Sequence, residues 1–301
     1  MLVKIFLPQA NTSNGGTGDA RVNKFFNQLS TTGSICAHRG ARSIAPENTW
    51  LAMEQARRCG ADLWETDVQM TADGELILFH DATLERTTDA ADHPEFTNRS
   101  LNVNEFTAAE LETLDAGSWF LLTDPFKTIA AGDVAEKLYP EIKGQKIPRL
   151  GDVLEYCRNY NFPMNLEIKD QNGTAADDQI VRKVLDSLRN SQTEDLVLIS
   201  SFNHNYLRQV KQLNPTIALA PLVEEHHPEN LLSYLHDLDV DAYHPDQLIT
   251  DTALVQELVA AGMRVNLWTV NDSDQVKNYF AAGATFICTD WPQRLVEAGH
   301  S

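Results

Sequence analysis

The 301-residue chain is short of positive charge, of usefully spaced cysteines and of long apolar runs. Only 24 Lys and Arg stand against 43 Asp and Glu, a formal charge of −19. A field of that sign repels nucleic acid and anionic membrane surfaces. Four cysteines, at 36, 59, 157 and 288, are scattered, and no pair has zinc or redox spacing. That excludes a Cys-built metal site, and a chain this long needs no disulfide framework. No stretch approaches the roughly 20 apolar residues of a membrane span. The opening "MLVKIFLPQANTSNGG" is interrupted by Lys4 and lacks a cleavage site, so it reads poorly as a signal peptide. The glycine cluster "NGGTG" follows no strand and completes no G-x-G-x-x-G, which excludes a dinucleotide loop. The expectation is a soluble protein of the reducing cytoplasm with no nucleic-acid partner. An anionic substrate would need local help from Arg, Lys or a metal ion.

What is present is a β/α alternation. The 43% hydrophobic content suffices for a sizeable core. From Ser34 onward, eight β-rich runs appear: "SICAHRG", "LWETDVQM", "MNLEIKD", "LVLISSF", "TIALAPL", "DAYHPD", "RVNLWTV" and "TFICTD". Helical patterns separate most of them, at Thr49–Cys59, Asp177–Leu188, Asn205–Leu213, Pro228–Leu238, Thr252–Ala261 and Asp272–Ala282. This order predicts an α/β fold, a closed (β/α)8 TIM-type barrel. A ninth run, "ELILFH", follows "LWETDVQM" after only "TADG", too short for a parallel crossover. It predicts a β-hairpin arm on strand two, with His80 opposite residues 65–67. The expected organisation is a peripheral, flexible N-terminal extension over 1–33, with a short helical patch around Val22–Leu29, and a barrel domain over 34–301. An insertion over about 81–160, beside the barrel mouth, precedes the third barrel strand and holds a helix at Thr107–Leu114.

Barrel active sites form at the C-terminal ends of the strands. Those ends carry His38 and Arg39, Glu65 and Asp67, Glu167 and Lys169, Ser201 and Phe202, Trp268, and Asp290; the hairpin adds His80 and Asp81. Residues two apart on a strand share a face, so Glu65, Asp67 and Glu167 are expected to converge. Crowded carboxylates call for a cation, and an all-oxygen set favours Mg²⁺ or Ca²⁺ over zinc. Two histidines beside such an ion suit general acid–base work on a phosphate ester. Arg39 offers a forked cation for phosphate oxygens and Lys169 a point charge. Gly40 gives the backbone freedom beside them. Glu47-Asn48-Thr49 reads mainly as the cap of the first helix, with a supporting role in orienting site residues as the other reading for Glu47. Trp268 and Phe202, with Trp119 and Phe120, are expected to shape a substrate wall, and His244 to line the pocket.

The run "HRG…PENT…GADLWETDVQMTADGELILFHD", followed by "LERTT", "NLEIK", "SSF" and "NLWTVN", closely resembles the glycerophosphodiester phosphodiesterase family over residues 34 to 295. The resemblance implies a barrel hydrolase that cleaves glycerophosphodiesters to sn-glycerol 3-phosphate and an alcohol, with a divalent cation. It puts the catalytic pair on His38 and His80 and the metal ligands on Glu65, Asp67 and Glu167. Phosphate contacts fall on Arg39 and Lys169, and the substrate wall on Trp268. Either histidine could take the proton of the attacking oxygen, which is water or the glycerol 2-hydroxyl, while the other protonates the departing alkoxide. Rival expectations are a lysophospholipase D or sphingomyelinase D-like enzyme, and a catalytically silent binding protein on the same barrel. A small-molecule diester is the expected partner, and a homo-oligomer is compatible with the sequence.

Overall fold

The structure is a computed structural model that describes residues 24–31 and 33–299. The expected strands form at Ser34–Ala37 (β1), Leu63–Met70 (β2), Met164–Ile168 (β4), Val197–Ser201 (β5), Ala218–Val223 (β6), Ala242–Pro245 (β7), Arg264–Leu267 (β8) and Phe286–Thr289 (β9), and the hairpin strand at Leu76–Leu78 (β3). The order β1-β9-β8-β7-β6-β5-β4-β2 is parallel throughout. Pairing of Cys36 with Leu63 between β1 and β2 closes the ring into an eight-stranded barrel. β3 runs antiparallel to β2 with Val68 opposite Leu78 and Met70 opposite Leu76. The Phe79 amide donates to the Asp67 carbonyl at 3.0 Å, which carries His80 toward the β2 acids as expected.

Strand alternation decides which side chains enter the barrel. On β2 all eight residues are buried. Trp64, Val68 and Met70 point outward into the layer beneath the helices; the intervening Leu63, Glu65 and Asp67 occupy the other face. On β4, Met164, Leu166 and Ile168 pack outward and leave Asn165 and Glu167 inside. The pairing Asp67 with Glu167, and Glu65 with Asn165, sets the acids side by side. Helices at Trp50–Arg58, Leu150–Tyr160, Ile180–Ser191, His204–Leu213, Leu231–Leu238, Thr252–Ala260, Ser273–Ala282 and Pro292–Glu297 cover the outside. The first shows why such segments are helical. Leu51, Ala52, Met53 and Ala56 share its buried face, Thr49 caps it by accepting from the Ala52 amide, and Arg57 and Arg58 end it.

Two boundaries differ from expectation. The excursion after β3 ends before Leu150, because Leu150–Tyr160 is a barrel helix whose Leu150, Val153, Leu154 and Cys157 are buried against the strands. The helix expected at Thr107–Leu114 is a single turn, Ala108–Leu111, closed by a capping box between Thr107 and Glu110. The excursion builds its own core from Phe79, Leu84, Phe96, Phe106 and Leu114. A second cluster, of Phe120, Val134 and Ile142, joins it to Leu51 and Ala52 of the first helix.

The expected N-terminal extension over 1–33 lies largely outside the described residues, as does the start of the helical patch at Val22–Leu29. Its last part is not peripheral. Phe25 and Phe26 are buried against Leu63, Leu198, Ala218 and Phe286, at the ends of the strands remote from the acids. The Arg264 guanidinium lies 4.3 Å over the Phe26 ring. This aromatic pair plugs the bottom of the barrel. Phe25→Ala is expected to cost about 3–5 kcal/mol, the range for truncating a buried Phe. Urea unfolding measures it, and an unchanged midpoint would show that the plug adds nothing to the fold.

Candidate active site

A cavity of about 530 Å³ opens at the C-terminal ends of the strands. His38, Arg39, Glu65, His80, Glu167, Lys169, Phe202 and Trp268 all line it. Asp67, the remaining predicted site residue, lies behind them and is 1% exposed. His244 also lines the cavity, as expected; burial pushes its imidazole down to about 3.

Oxygen atoms of Glu65, Asp67 and Glu167 lie within 4.8 Å of one another, and all three side chains are buried. Two cations partly offset them. Lys169 Nζ lies 2.7 Å from Glu167 and 3.5 Å from Asp67, and Arg39 Nε lies 3.4 Å from Asp67. Burial opposes ionisation of Asp67, but Lys169 and Arg39, with a bond from the Asn48 amide at 2.8 Å, hold its carboxyl well below the usual range. Glu65 and Glu167 go the other way. Burial raises both, and the charge of Asp67 adds to it. The two neighbouring carboxylates push the Lys169 ammonium up to about 12 despite its burial. Two cations thus face three carboxylates, and one of the two, Arg39, is shared with Glu47.

Each histidine is held at Nδ1 by a carboxylate. His38 Nδ1 lies 2.7 Å from Asp290 Oδ1, and His80 Nδ1 lies 2.7 Å from Asp81 Oδ1. This pairing places the Nδ1 proton on the carboxylate side and leaves Nε2 of each ring unprotonated in its neutral form. His38 Nε2 lies 4.0 Å from Glu65 Oε2. Burial and the adjacent Arg39 push the His38 imidazole down to about 4, against the pull of Asp290. Burial opposes ionisation of Asp290, but the bond to His38, the His38 and Arg42 charges and the Asn271 amide together hold it at about 2.

The loop after β1 makes this geometry possible by leaving ordinary backbone space. Arg39, Gly40 and Asn48 have φ of +51°, +83° and +54°. The Arg39 amide donates to Glu65 at 3.0 Å. A Cβ on Gly40 would meet the Ala52 backbone at 2.6 Å, so only glycine fits where the loop crosses the first helix. Glu47 does not cap that helix, a role Thr49 fills alone; its buried carboxylate accepts from Arg39 and Arg86.

On the cavity's far wall Phe202 and Trp268 meet edge to face at 5.6 Å, with the Trp268 indole N–H bonded to the His244 carbonyl at 2.9 Å. Trp119 and Phe120 do not join this wall. Phe120 is buried in the excursion's core, and Trp119 lies beneath the Arg86 guanidinium at 5.9 Å. Arg42 and Arg86 escaped the sequence reading as site residues. Arg86 sits in the "LERTT" stretch, the one signal that could have found it; Arg42 is one of several polar residues after "HRG" and nothing marks it out.

The sequence signature of the glycerophosphoryl diester phosphodiesterase family matches residues 38–294. A glycerophosphodiester phosphodiesterase of Bacillus altitudinis is 34% identical over 270 residues, covering 87% of this chain and 96% of that protein. One from Caldanaerobacter subterraneus subsp. tengcongensis is 33% identical, with the same coverage. Among solved structures, a phosphodiesterase of Oleispira antarctica in complex with the product sn-glycerol-3-phosphate superposes with a TM-score of 0.76 at 29% identity. It covers 92% of this chain and 99% of that one. The barrel, the histidines at its mouth and these likenesses agree: the chain belongs to the glycerophosphoryl diester phosphodiesterase family and is a phosphoric diester hydrolase.

Proposed function

We propose that the chain hydrolyses glycerophosphodiesters to sn-glycerol 3-phosphate and an alcohol, with a divalent cation bound and two histidines moving the protons. The observation that carries this reading is the pair of carboxylate-held imidazoles on one cavity with a buried triad of carboxylates. The residues present fit a cation. Glu65, Asp67 and Glu167 are an all-oxygen donor set, and burial and the charge of Asp67 raise the Glu65 and Glu167 carboxyls, a cost that a bound cation would relieve. Those three carboxylates would hold Mg²⁺ or Ca²⁺. Bound there, the ion would supply positive charge that draws in the phosphate and offsets the charge building on its oxygens.

The remaining work falls to the side chains. Arg39 and Lys169 are the cations that face the phosphate, and they overcome locally the repulsion set by the chain's charge of −19. His38 stands at about 4 and is therefore uncharged at neutral pH, with its Nε2 lone pair free. It takes the proton of the attacking oxygen, while Asp290 fixes its tautomer and stabilises the imidazolium that forms. His80, held at Nδ1 by Asp81, takes up a proton at Nε2 from solvent before the step and delivers it to the departing alkoxide. Phe202 and Trp268 provide the apolar wall along which an organic substituent lies. Four free thiols suit a reducing compartment, and we place the enzyme in the cytoplasm. No helix among the described residues is long and apolar enough to cross a membrane.

Two assays test this reading. Glycerophosphocholine, glycerophosphoethanolamine and lysophosphatidylcholine are compared with Mg²⁺, with Ca²⁺ and with excess chelator. The two glycerophosphodiesters are expected to turn over and chelator to abolish turnover. A strong preference for the lipid, or full activity in chelator, contradicts the reading. The second assay separates the histidines. His80→Ala is expected to lose about 10²–10⁴-fold on glycerophosphocholine. It should recover most of that loss on the p-nitrophenyl ester of glycerol phosphate, whose leaving group needs no proton. His38→Ala stays inactive on both. The reverse pattern exchanges the two roles.

A further inference from the structure

Glu47 takes no part in the steps above, yet the supports of both histidines meet at its carboxylate. It lies in the loop before the first helix, and its side chain is only 4% exposed. Oε1 accepts from Arg39 Nη1 at 2.8 Å and from Arg86 Nη2 at 2.6 Å. Oε2 accepts from Arg86 Nη1 at 3.0 Å and lies 3.4 Å from Arg42 Nη2.

The two outer arginines reach the histidine pairs from opposite sides. Arg86 turns its other edge to Asp81, with Nε 2.6 Å from Oδ2 and Nη2 2.9 Å from Oδ1, and Asp81 holds His80. Arg42 Nε lies 3.5 Å from Asp290 Oδ1, the oxygen that holds His38. A guanidinium is a planar fork, so a carboxylate gripping one edge sets the direction of the other. Arg86 comes from the excursion and Arg42 from the β1 loop. Glu47 is therefore where the two segments that carry the proton donor and acceptor are tied together.

We propose that Glu47 is a positioning residue for both histidines, acting through Arg86 on Asp81–His80 and through Arg42 on Asp290–His38. Three guanidiniums converge on one buried carboxylate. Without that charge they repel one another, and Arg42 and Arg86 lose the anchor that aims them. A glutamine would keep the shape, lose the charge and turn an amide N–H toward a guanidinium. Of the phosphate-facing cations Lys169 does not touch Glu47, and Arg39 keeps Asp67 at 3.4 Å as a second partner, so the larger disorder falls on the reacting groups. It should therefore appear in kcat and spare KM.

The test uses full-length Glu47→Gln, assayed on glycerophosphocholine with Mg²⁺, with ¹⁵N spectra of the assigned His38 and His80 imidazoles. We expect kcat to fall about a hundredfold, the scale of a small misplacement of reacting groups, with KM changed by less than about threefold. Both imidazoles should lose the single Nδ1–H tautomer they show in the wild type. Glu47→Asp keeps the charge on a shorter arm and should recover part of kcat; if Glu47→Gln does not fold, the aspartate variant is read by the same signals against wild type. A kcat within about threefold of wild type, or a tautomer change at one histidine or neither, overturns the proposal. The rate readout rests on the proposed activity, but the spectra need no turnover. An inactive wild type would sink the functional reading while the two imidazole signals still decide the role of Glu47.

Discussion

Three carboxylates within 4.8 Å of one another, inside a protein, are the constraint around which this molecule is arranged. Such a cluster is costly unless cations face it. The chain supplies two, Arg39 and Lys169, from the ends of the two strands that flank β2, and they settle Asp67 while leaving Glu65 and Glu167 elevated. On the proposed reading, this cluster gives an overall acidic protein a place where a cation and a phosphate enter together. The excess negative charge of the chain is thus compatible with an anionic substrate, because the field at the mouth is set locally.

The barrel makes that cluster affordable by dividing the labour of each strand. Outward positions such as Trp64, Val68, Leu166 and Ile199 pack under the helices. Inward positions are apolar at the plugged end, with Leu63, Leu198 and Phe286 around Phe25 and Phe26. They turn polar toward the mouth. The stability of the fold therefore resides away from the chemistry. Above the strands, the positive φ at Arg39, Gly40 and Asn48 folds the β1 loop back over the first helix. One amide of that loop reaches Glu65, while Asn48 reaches Asp67.

Much of this was legible in the sequence, for a physical reason. Strand alternation has a period of two, so spacing alone placed Glu65 with Asp67, and Glu167 with Lys169. Turn chemistry in "TADG" likewise gave the hairpin that delivers His80. What the sequence concealed depends on contacts between distant segments. Asp290 reads only as a strand-end carboxylate until β9 closes beside β1, 252 residues from His38. Arg86 and Glu47 are 39 residues apart and meet only because the excursion folds over the first helix. The plug by Phe25 and Phe26 was hidden for the same reason, since a two-residue apolar step carries no period. The end of the excursion was missed because Leu150–Tyr160 follows a loop-rich stretch that masked its helical face.

The central claim is that the acidic triad is a cation site that shares the phosphate with Arg39 and the two histidines. Anomalous diffraction from crystals grown with Mn²⁺ and sn-glycerol 3-phosphate tests it most directly. The account predicts one strong peak bounded by Glu65, Asp67 and Glu167, with the phosphate lying between that peak and His38 Nε2. A triad engaged only by Lys169 and Arg39, with the ion elsewhere and product still in the cavity, would contradict it.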